Sequence, residues 1–154
     1  MQLHQNGDVL LQQSRFTRSL LEKYGMAQSK ANSAVTVNRL PESSDPPSPE
    51  VLKQLQAYSG EFNWLATRTI PDISYYVSLL ASPSTKQSTW SLELSQKILR
   101  FLAATQNQGI LITATGDLTD LQAWTDVGFA GTDTRSQSGL IVMWGGSMIA
   151  WRSS

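Results

Sequence analysis

Residues 98–114 read ILRFLAATQNQGILITA. Ile98, Phe101 and Leu102 fall three and four apart, the spacing of one helix face. After Gln106-Asn107-Gln108-Gly109, a turn-forming cluster, the apolar residues become contiguous and β-branched, Ile110–Ala114. The period therefore changes at residue 109, with helices before it and strands after it. Order of this kind defines an α+β chain, in which helices and strands are segregated along the sequence.

Upstream, the helical pattern extends through three segments. Ser48-Pro49-Glu50 is a helix start, with a cap, a proline at the first helical position and an acid in the first turn. Val51, Leu55, Tyr58, Phe62 and Leu65 follow as one apolar stripe, which Trp64 widens. Pro71 ends or kinks this helix, because the residue before a proline is driven from the α region. A second helix carries Ile73, Tyr76, Val77 and Leu80 on one face until Ser82-Pro83-Ser84 stops it. A third covers about 88–104, with Trp90, Leu94, Ile98, Phe101 and Leu102 inward. Arg68 and Asp72 stand four apart across Pro71, placed for a cap or an ion pair at the kink.

Nearer the start, Asn6-Gly7 between short apolar stretches signals a hairpin. A helix near 14–25 then shows Phe16, Leu20, Leu21 and Tyr24 on one side, with Ser14 to cap it and Gly25 to close it. Residues 27–49 have no apolar period and run into PESSDPPSPE (41–50), a linker or surface crossing. After residue 114, Leu121–Val127 alternates, and two apolar runs, Ser138–Trp144 and Met148–Trp151, are joined by Gly145-Gly146, a hairpin signal. The strands from 110 to 154 are expected to form one antiparallel-rich sheet. No helix follows to cover it, so the sheet reads as truncated.

Composition narrows the chemistry. The chain has 154 residues, the size of one ordinary domain, and 12 basic residues balance 12 acidic ones. A dedicated basic nucleic-acid module would show an excess of cations. The neutral total hides alternation, however: residues 1–40 and 86–105 are net positive, residues 41–85 and 106–154 net negative. Charged residues are only 16%, below the usual quarter. Cysteine is absent and His4 is the single histidine, which excludes disulfide scaffolds, thiolate metal sites and Cys nucleophiles. His4 has no sequence partner and no assigned role. No apolar stretch approaches the roughly 20 residues of a membrane span, and the start has no signal-peptide pattern. The expectation is an intracellular protein, cytoplasmic or nuclear, without a membrane partner.

Four strings resemble, in order and at the right separations, copia-type retrotransposon Pol polyproteins. LHQNGDVLLQQSRFTRSLLEKYGM is similar to the end of that family's reverse transcriptase palm and its first thumb helix. YSGEFNWLATRTIPDISYYVSLLAS resembles its Gly-x-x-x-(Tyr/Trp)-Leu-Ala…Thr-Arg-Pro-Asp-Ile segment, and KILRFLAATQNQGI its Arg-Ile-Leu-Arg-Tyr-Leu segment. AWTDVGFAGTDTRSQSGLIVMWGGSMIAWRSS resembles the opening of its ribonuclease H domain. There are departures: Ile70 stands where Arg is usual, and Gly128-Phe129 where the family has Asp-Trp.

The resemblance implies a layout. Residues 1–26 would be the end of the palm hairpin and the thumb helix, 27–49 the linker and 50–108 a helical connection. Residues 109–154 would be the first strands of an incomplete RNase H-like domain. It implies a parent that is an RNA-directed DNA polymerase with ribonuclease H, handling template–primer duplex or RNA–DNA hybrid with magnesium. Asp126 matches the first nuclease carboxylate and would be both catalytic and a metal ligand. Asp120 lies six residues away, roughly 20 Å along a strand, and Asp133 sits in a turn beside Arg135. Arg15, Arg18 and Lys23 would track nucleic acid through charge, or simply form a solvated face. Arg135 would contact backbone phosphate, or only complete a turn. The five tryptophans could stack on bases, though their spacing suits a core.

The chain holds no Asp-Asp or Glu-Asp pair and no Walker loop. Two-metal nuclease chemistry needs several carboxylates, so this chain alone is expected to be inactive, binding no magnesium tightly. The rival class is a non-enzymatic structural or protein-interaction module derived from such an element, with an uncovered sheet open to self-association.

Overall fold

The computed structural model describes residues 1–37, 47–81, 87–128 and 136–154. The described elements run β1 (Gln2–Leu3), β2 (Val9–Gln12), α1 (Ser14–Lys23) and α2 (Pro49–Ala66). A 3-10 turn (Pro71–Ile73) leads into α3 (Ser74–Ala81), and α4 (Ser88–Ala104) follows. The strands β3 (Gly109–Ile112), β4 (Leu121–Gly128), β5 (Gln137–Trp144) and β6 (Ser147–Ser153) complete the order. The mixture of helices and two antiparallel sheets is that of an α+β chain.

The core belongs to the helices. Leu55, Phe62 and Leu65 of α2, Ile73, Leu80 of α3, and Ile98, Leu99 and Leu102 of α4 are all fully buried. Leu20 and Leu21 close it from α1. The expected stripes on α2, α3 and α4 thus face one another. Tyr58 stacks between Tyr24 and Phe62, with ring centroids 4.4 and 5.4 Å away.

Helix ends follow local chemistry. The Ser48 hydroxyl accepts from the Val51 amide, and Pro49 stands at the first helical position. At the end of α1, Met26 N–H bonds Leu21 C=O at 2.7 Å and Gly25 N–H bonds Glu22 C=O at 3.1 Å. This Schellman closure places Gly25 at φ +66°, a conformation that favours glycine. Ser14 does not cap α1. Gln13 precedes the helix, and the Ser14 hydroxyl, already helical, donates to the Gln12 side chain.

Two inward expectations fail. Phe16 is 37% exposed and Trp64 is 47% exposed. On α1 the inward position beside Leu20 and Leu21 goes to Thr17, so the helix is rotated from its most apolar face. Trp64 lies one position off the α2 stripe and carries the Arg68 guanidinium over its ring, 5.0 Å from the centroid. Arg68 is therefore occupied by Trp64. Among the described residues the ion pair is Lys23–Glu61, not Arg68–Asp72.

The strands do not form one sheet. β3 joins the N-terminal hairpin in the order β1-β2-β3, while β4, β5 and β6 make a second sheet in sequence order. Gly109 pairs with Gln12, and a Cβ on it would lie 2.1 Å from the Leu11 carbonyl oxygen, so only glycine permits this approach. The chain then turns at Asp117, whose side chain accepts from the Thr119 amide and hydroxyl, and is carried away before β4 begins. β5 and β6 do pair across Gly145 and Gly146, at φ +55° and +78°. The hairpin end is tied to the first sheet by Thr113, whose amide donates to Ser147 Oγ at 2.9 Å and whose hydroxyl donates to Gly145 C=O.

The described start of the expected linker crosses the surface of α4. Asn32 N–H bonds Arg100 C=O, Lys97 Nζ donates to Thr36 C=O, and Val35 is buried.

Candidate functional site

The second sheet presents alternate residues to each side. The register sets Trp124 beside Ile141 and Ile141 beside Trp151; one step on, Asp126 lies beside Gly139 and Gly139 beside Ser153. These residues share the face toward the helices. Opposite them stand Pro71, Asp72 and Tyr75, at the elbow between α2 and α3. The space between is an open cleft of about 610 Å³.

Its chemistry is mixed. Trp124, Ile141, Trp151 and Tyr75 supply apolar and aromatic wall, and Asp126 and Asp72 supply carboxylates on opposite sides. Gly128 and Gly139 leave the strand backbone uncovered beside Asp126. Asp126 is exposed. Trp151 is the anchor: its Nε1–H donates to the Ala66 carbonyl at 2.6 Å, and the Ser78 hydroxyl reaches the Gln137 side chain at 3.2 Å. These bonds hold the sheet against the helices and frame the cleft.

The opposite face of the sheet is uncovered. Leu121, Val127, Leu140 and Trp144 are exposed there, and β4 is exposed along its whole length. The Trp144 Nε1–H is nonetheless satisfied, by the Leu118 carbonyl at 2.7 Å.

The other residues singled out from the sequence lie apart from Asp126. Arg15, Arg18 and Lys23 are exposed on α1, which does not line the cleft. Lys23 is held by Glu61 and lies 4.9 Å from the Tyr24 ring centroid. The hydrogen bond that the Lys23 ammonium donates to Glu61 holds its pKa above the ordinary value, and Tyr24, through burial first and its bond to Glu61 second, is pushed up to about 12. Asp120 accepts from the Gln122 side chain outside the cleft. Arg135 and Asp133 lie outside the described residues. Trp90 is buried in the helical core and Trp151 half-buried against the helices, while Trp64, Trp124 and Trp144 are exposed. Tyr75 is a cleft residue that sequence reasoning passed over, and Asp72 is one to which it gave only a structural contact with Arg68. The one signal available was the Pro71 break, since a helix elbow exposes the residues that flank it.

Magnesium prefers octahedral oxygen ligation. Among the described residues no three His, Asp or Glu side chains come together. The described residues do not fit the metal set of a two-metal nuclease, and no catalytic step is built through it.

Comparison with known proteins gives relatives among mobile elements. The chain is 38% identical over 96 residues to a retrovirus-related Pol polyprotein from transposon RE1 of Arabidopsis thaliana, covering 61% of this chain and 6% of that protein. It is 31% identical over 147 residues to the Pol polyprotein from transposon RE2 of the same plant, covering 93% of this chain and 10% of that protein. It is also 28% identical over 159 aligned residues to an uncharacterized mitochondrial protein of Arabidopsis thaliana, covering 96% of this chain and 61% of that one. The chain therefore spans a tenth or less of the two polyproteins and about three fifths of the mitochondrial protein. No family model matches it, and no solved structure does. Two of these three relatives are transposon Pol polyproteins, and the chain is similar to a part of each.

Proposed function

We propose that this chain is a segment of a copia-type retrotransposon Pol polyprotein. It would join the end of the reverse transcriptase to the first strands of a ribonuclease H-like domain. Its role would be to hold a template–primer duplex or RNA–DNA hybrid between the two. The observation that carries the reading is the match to the RE2 polyprotein along 93% of the chain. Two features are consistent with it. Arg15 and Arg18 are exposed on one helix, and cations of this kind bind phosphate without reading sequence. The cleft beside Asp126 offers aromatic faces on which unpaired bases stack.

In this reading Asp126 contributes one carboxylate and no complete active site. The experiment is binding of a labelled RNA–DNA hybrid, followed by fluorescence anisotropy as salt is raised. Affinity should fall with salt, and Arg15→Ala with Arg18→Ala should reduce the slope by about two. Affinity that does not respond to salt, or to that double substitution, would refute the reading.

One observation favours a second reading, a protein-interaction module. The outer sheet face exposes Leu121 beside Trp144 at one end and Val127 diagonal to Leu140 toward the other, and exposed apolar patches mark contact surfaces. Hybrid binding that is lost on substituting this face, rather than Arg15 and Arg18, would favour it.

A further inference from the structure

The end of α2 leaves one carbonyl without a backbone donor. The amides of Arg68, Thr69 and Ile70 all turn to the Leu65 carbonyl, at 3.2, 3.0 and 2.9 Å. The next residue, Pro71, has no N–H to offer. Ala66 is 2% exposed, so its carbonyl cannot rely on water. A buried, unsatisfied carbonyl is costly, and native proteins pair nearly all of them. Here the donors come from side chains: Ser74 Oγ at 3.3 Å, and Trp151 Nε1, 85 residues along the chain, at 2.6 Å. The shorter and better of the two therefore comes from the second sheet.

We infer that Trp151 is a positioning residue, whose indole N–H docks the Asp126 sheet onto the carbonyl that the Pro71 break leaves open. The consequence is geometric. Pro71, Asp72 and Tyr75 form one wall of the cleft, and Trp124 and Asp126 form the other. Trp151 sits on the second wall and bonds to the residue that ends α2, just before the first. Its neighbours in the register, Ile141 and then Trp124, carry the docking across the sheet. The width of the cleft is thus set by a bond that the apolar contacts of the ring do not specify. The helical core contains no residue of this sheet, so loss of the bond should loosen the sheet while leaving the helices folded. The functional part of this inference rests on the reading of the cleft as the site that handles nucleic acid; the docking itself does not.

The test uses the chain without ligand. The protein has no cysteine, so Gln56→Cys on α2 and Val127→Cys on β4, both exposed, accept a pair of spin labels cleanly. Trp151→Phe keeps an aromatic ring and removes only the donor. The expected result is a single interlabel distance in the parent and a second, longer distance in Trp151→Phe. The undocked fraction should rise about fivefold, the effect of one ordinary net hydrogen bond. The helical signal in far-ultraviolet circular dichroism should stay unchanged. Independently, the Trp151 indole N–H, assigned as the resonance missing from Trp151→Phe, should exchange slowly with solvent in the parent. An unchanged distance distribution together with fast exchange of the Trp151 N–H would overturn the inference. Hybrid binding is then measured on the same variants. Intact docking with no hybrid binding would leave the positioning role standing and remove only the proposed function.

Discussion

The Tyr24 hydroxyl donates to the Glu61 carboxylate at 2.7 Å, joining the end of α1 to the middle of α2. Lys23 closes on the other oxygen of the same carboxylate. One acid thus gathers both of the last polar side chains of α1 and presses the Tyr24 ring onto Tyr58. Partly buried pairs of this kind fix the relative placement of two helices more than they add stability.

An alkaline loss of stability follows. Tyr24 has a folded-state pKa of about 12 against an ordinary 10.0, so the folded protein holds this proton more tightly than the unfolded chain. The stabilisation is complete below about 10 and is lost as pH rises toward 12. Lys23 and Tyr58 shift in the same direction, Lys23 through its bond to Glu61 and Tyr58 through burial. Denaturant midpoints should fall across this window. Tyr24→Phe should flatten that fall. An equal fall in the variant would place the titration elsewhere.

Core and surface aromatics on α2 should separate sharply. Phe62 is fully buried, and Phe62→Ala should cost about 3–5 kcal/mol. Trp64 is nearly half exposed beneath Arg68, and Trp64→Ala should cost about 1 kcal/mol or less. Equilibrium denaturation of the two variants checks the ordering. Similar costs would mean that the α2 stripe is rotated from the arrangement described here.

Two glycines should respond in opposite directions to the same change. Gly60 is helical with open space where a Cβ would go, so Gly60→Ala should stabilise by about 0.5–1 kcal/mol. Gly109→Ala would drive a methyl group into the Leu11 carbonyl and should destabilise by about 1–3 kcal/mol, loosening the first sheet. Amide exchange of Leu11 and Ile110 reports the second effect directly. Protection retained at both positions in Gly109→Ala would contradict the pairing of β2 with β3.

The uncovered face of the second sheet should be sticky. A hydrophobic dye should bind, and the chain should self-associate as concentration rises, because Leu121 and Trp144 stand exposed beside one another and Val127 and Leu140 are exposed further along the same face. Leu121→Glu with Val127→Lys should reduce both signals. Sedimentation measures the association. A dye-silent monomer at all concentrations would remove this face as a contact surface.

Asp126 should not cleave on its own. With magnesium present, this chain should leave an RNA–DNA hybrid intact, and Asp126→Asn should be indistinguishable from the parent. In a longer chain carrying the matching Pol segment downstream, Asp126→Asn should abolish cleavage, and Asp120→Asn should reduce it far less, because Asp120 already accepts from Gln122 away from the cleft. Hybrid cleavage measured in both lengths settles the role. Full activity of Asp126→Asn in the longer chain would make Asp126 an ordinary strand residue.

Much of this architecture is local, and the sequence by itself determined it. Ser48-Pro49 opens α2 because a hydroxyl and a ring-fixed φ act on their own neighbours. Gly25 closes α1 and Gly145-Gly146 turn β5 into β6 because left-handed backbone favours glycine. The apolar periods of α2, α3 and α4 gave the core, since burial follows a repeat of 3.6 residues. Relations across the chain were settled only in three dimensions. Nothing local to Ile110–Ile112 says that it pairs with Val9–Leu11, about a hundred residues earlier, rather than with the strands that follow. Thr17 displaces Phe16 from the interior because the rotation of α1 is fixed by what it packs against. The cleft is of the same kind. The motif singled out Asp126, but that Asp72 and Tyr75 line the same cleft depends on how the sheet meets the elbow after α2, where Trp151 bonds the Ala66 carbonyl. Hydrogen bonds between distant residues leave no period in a sequence.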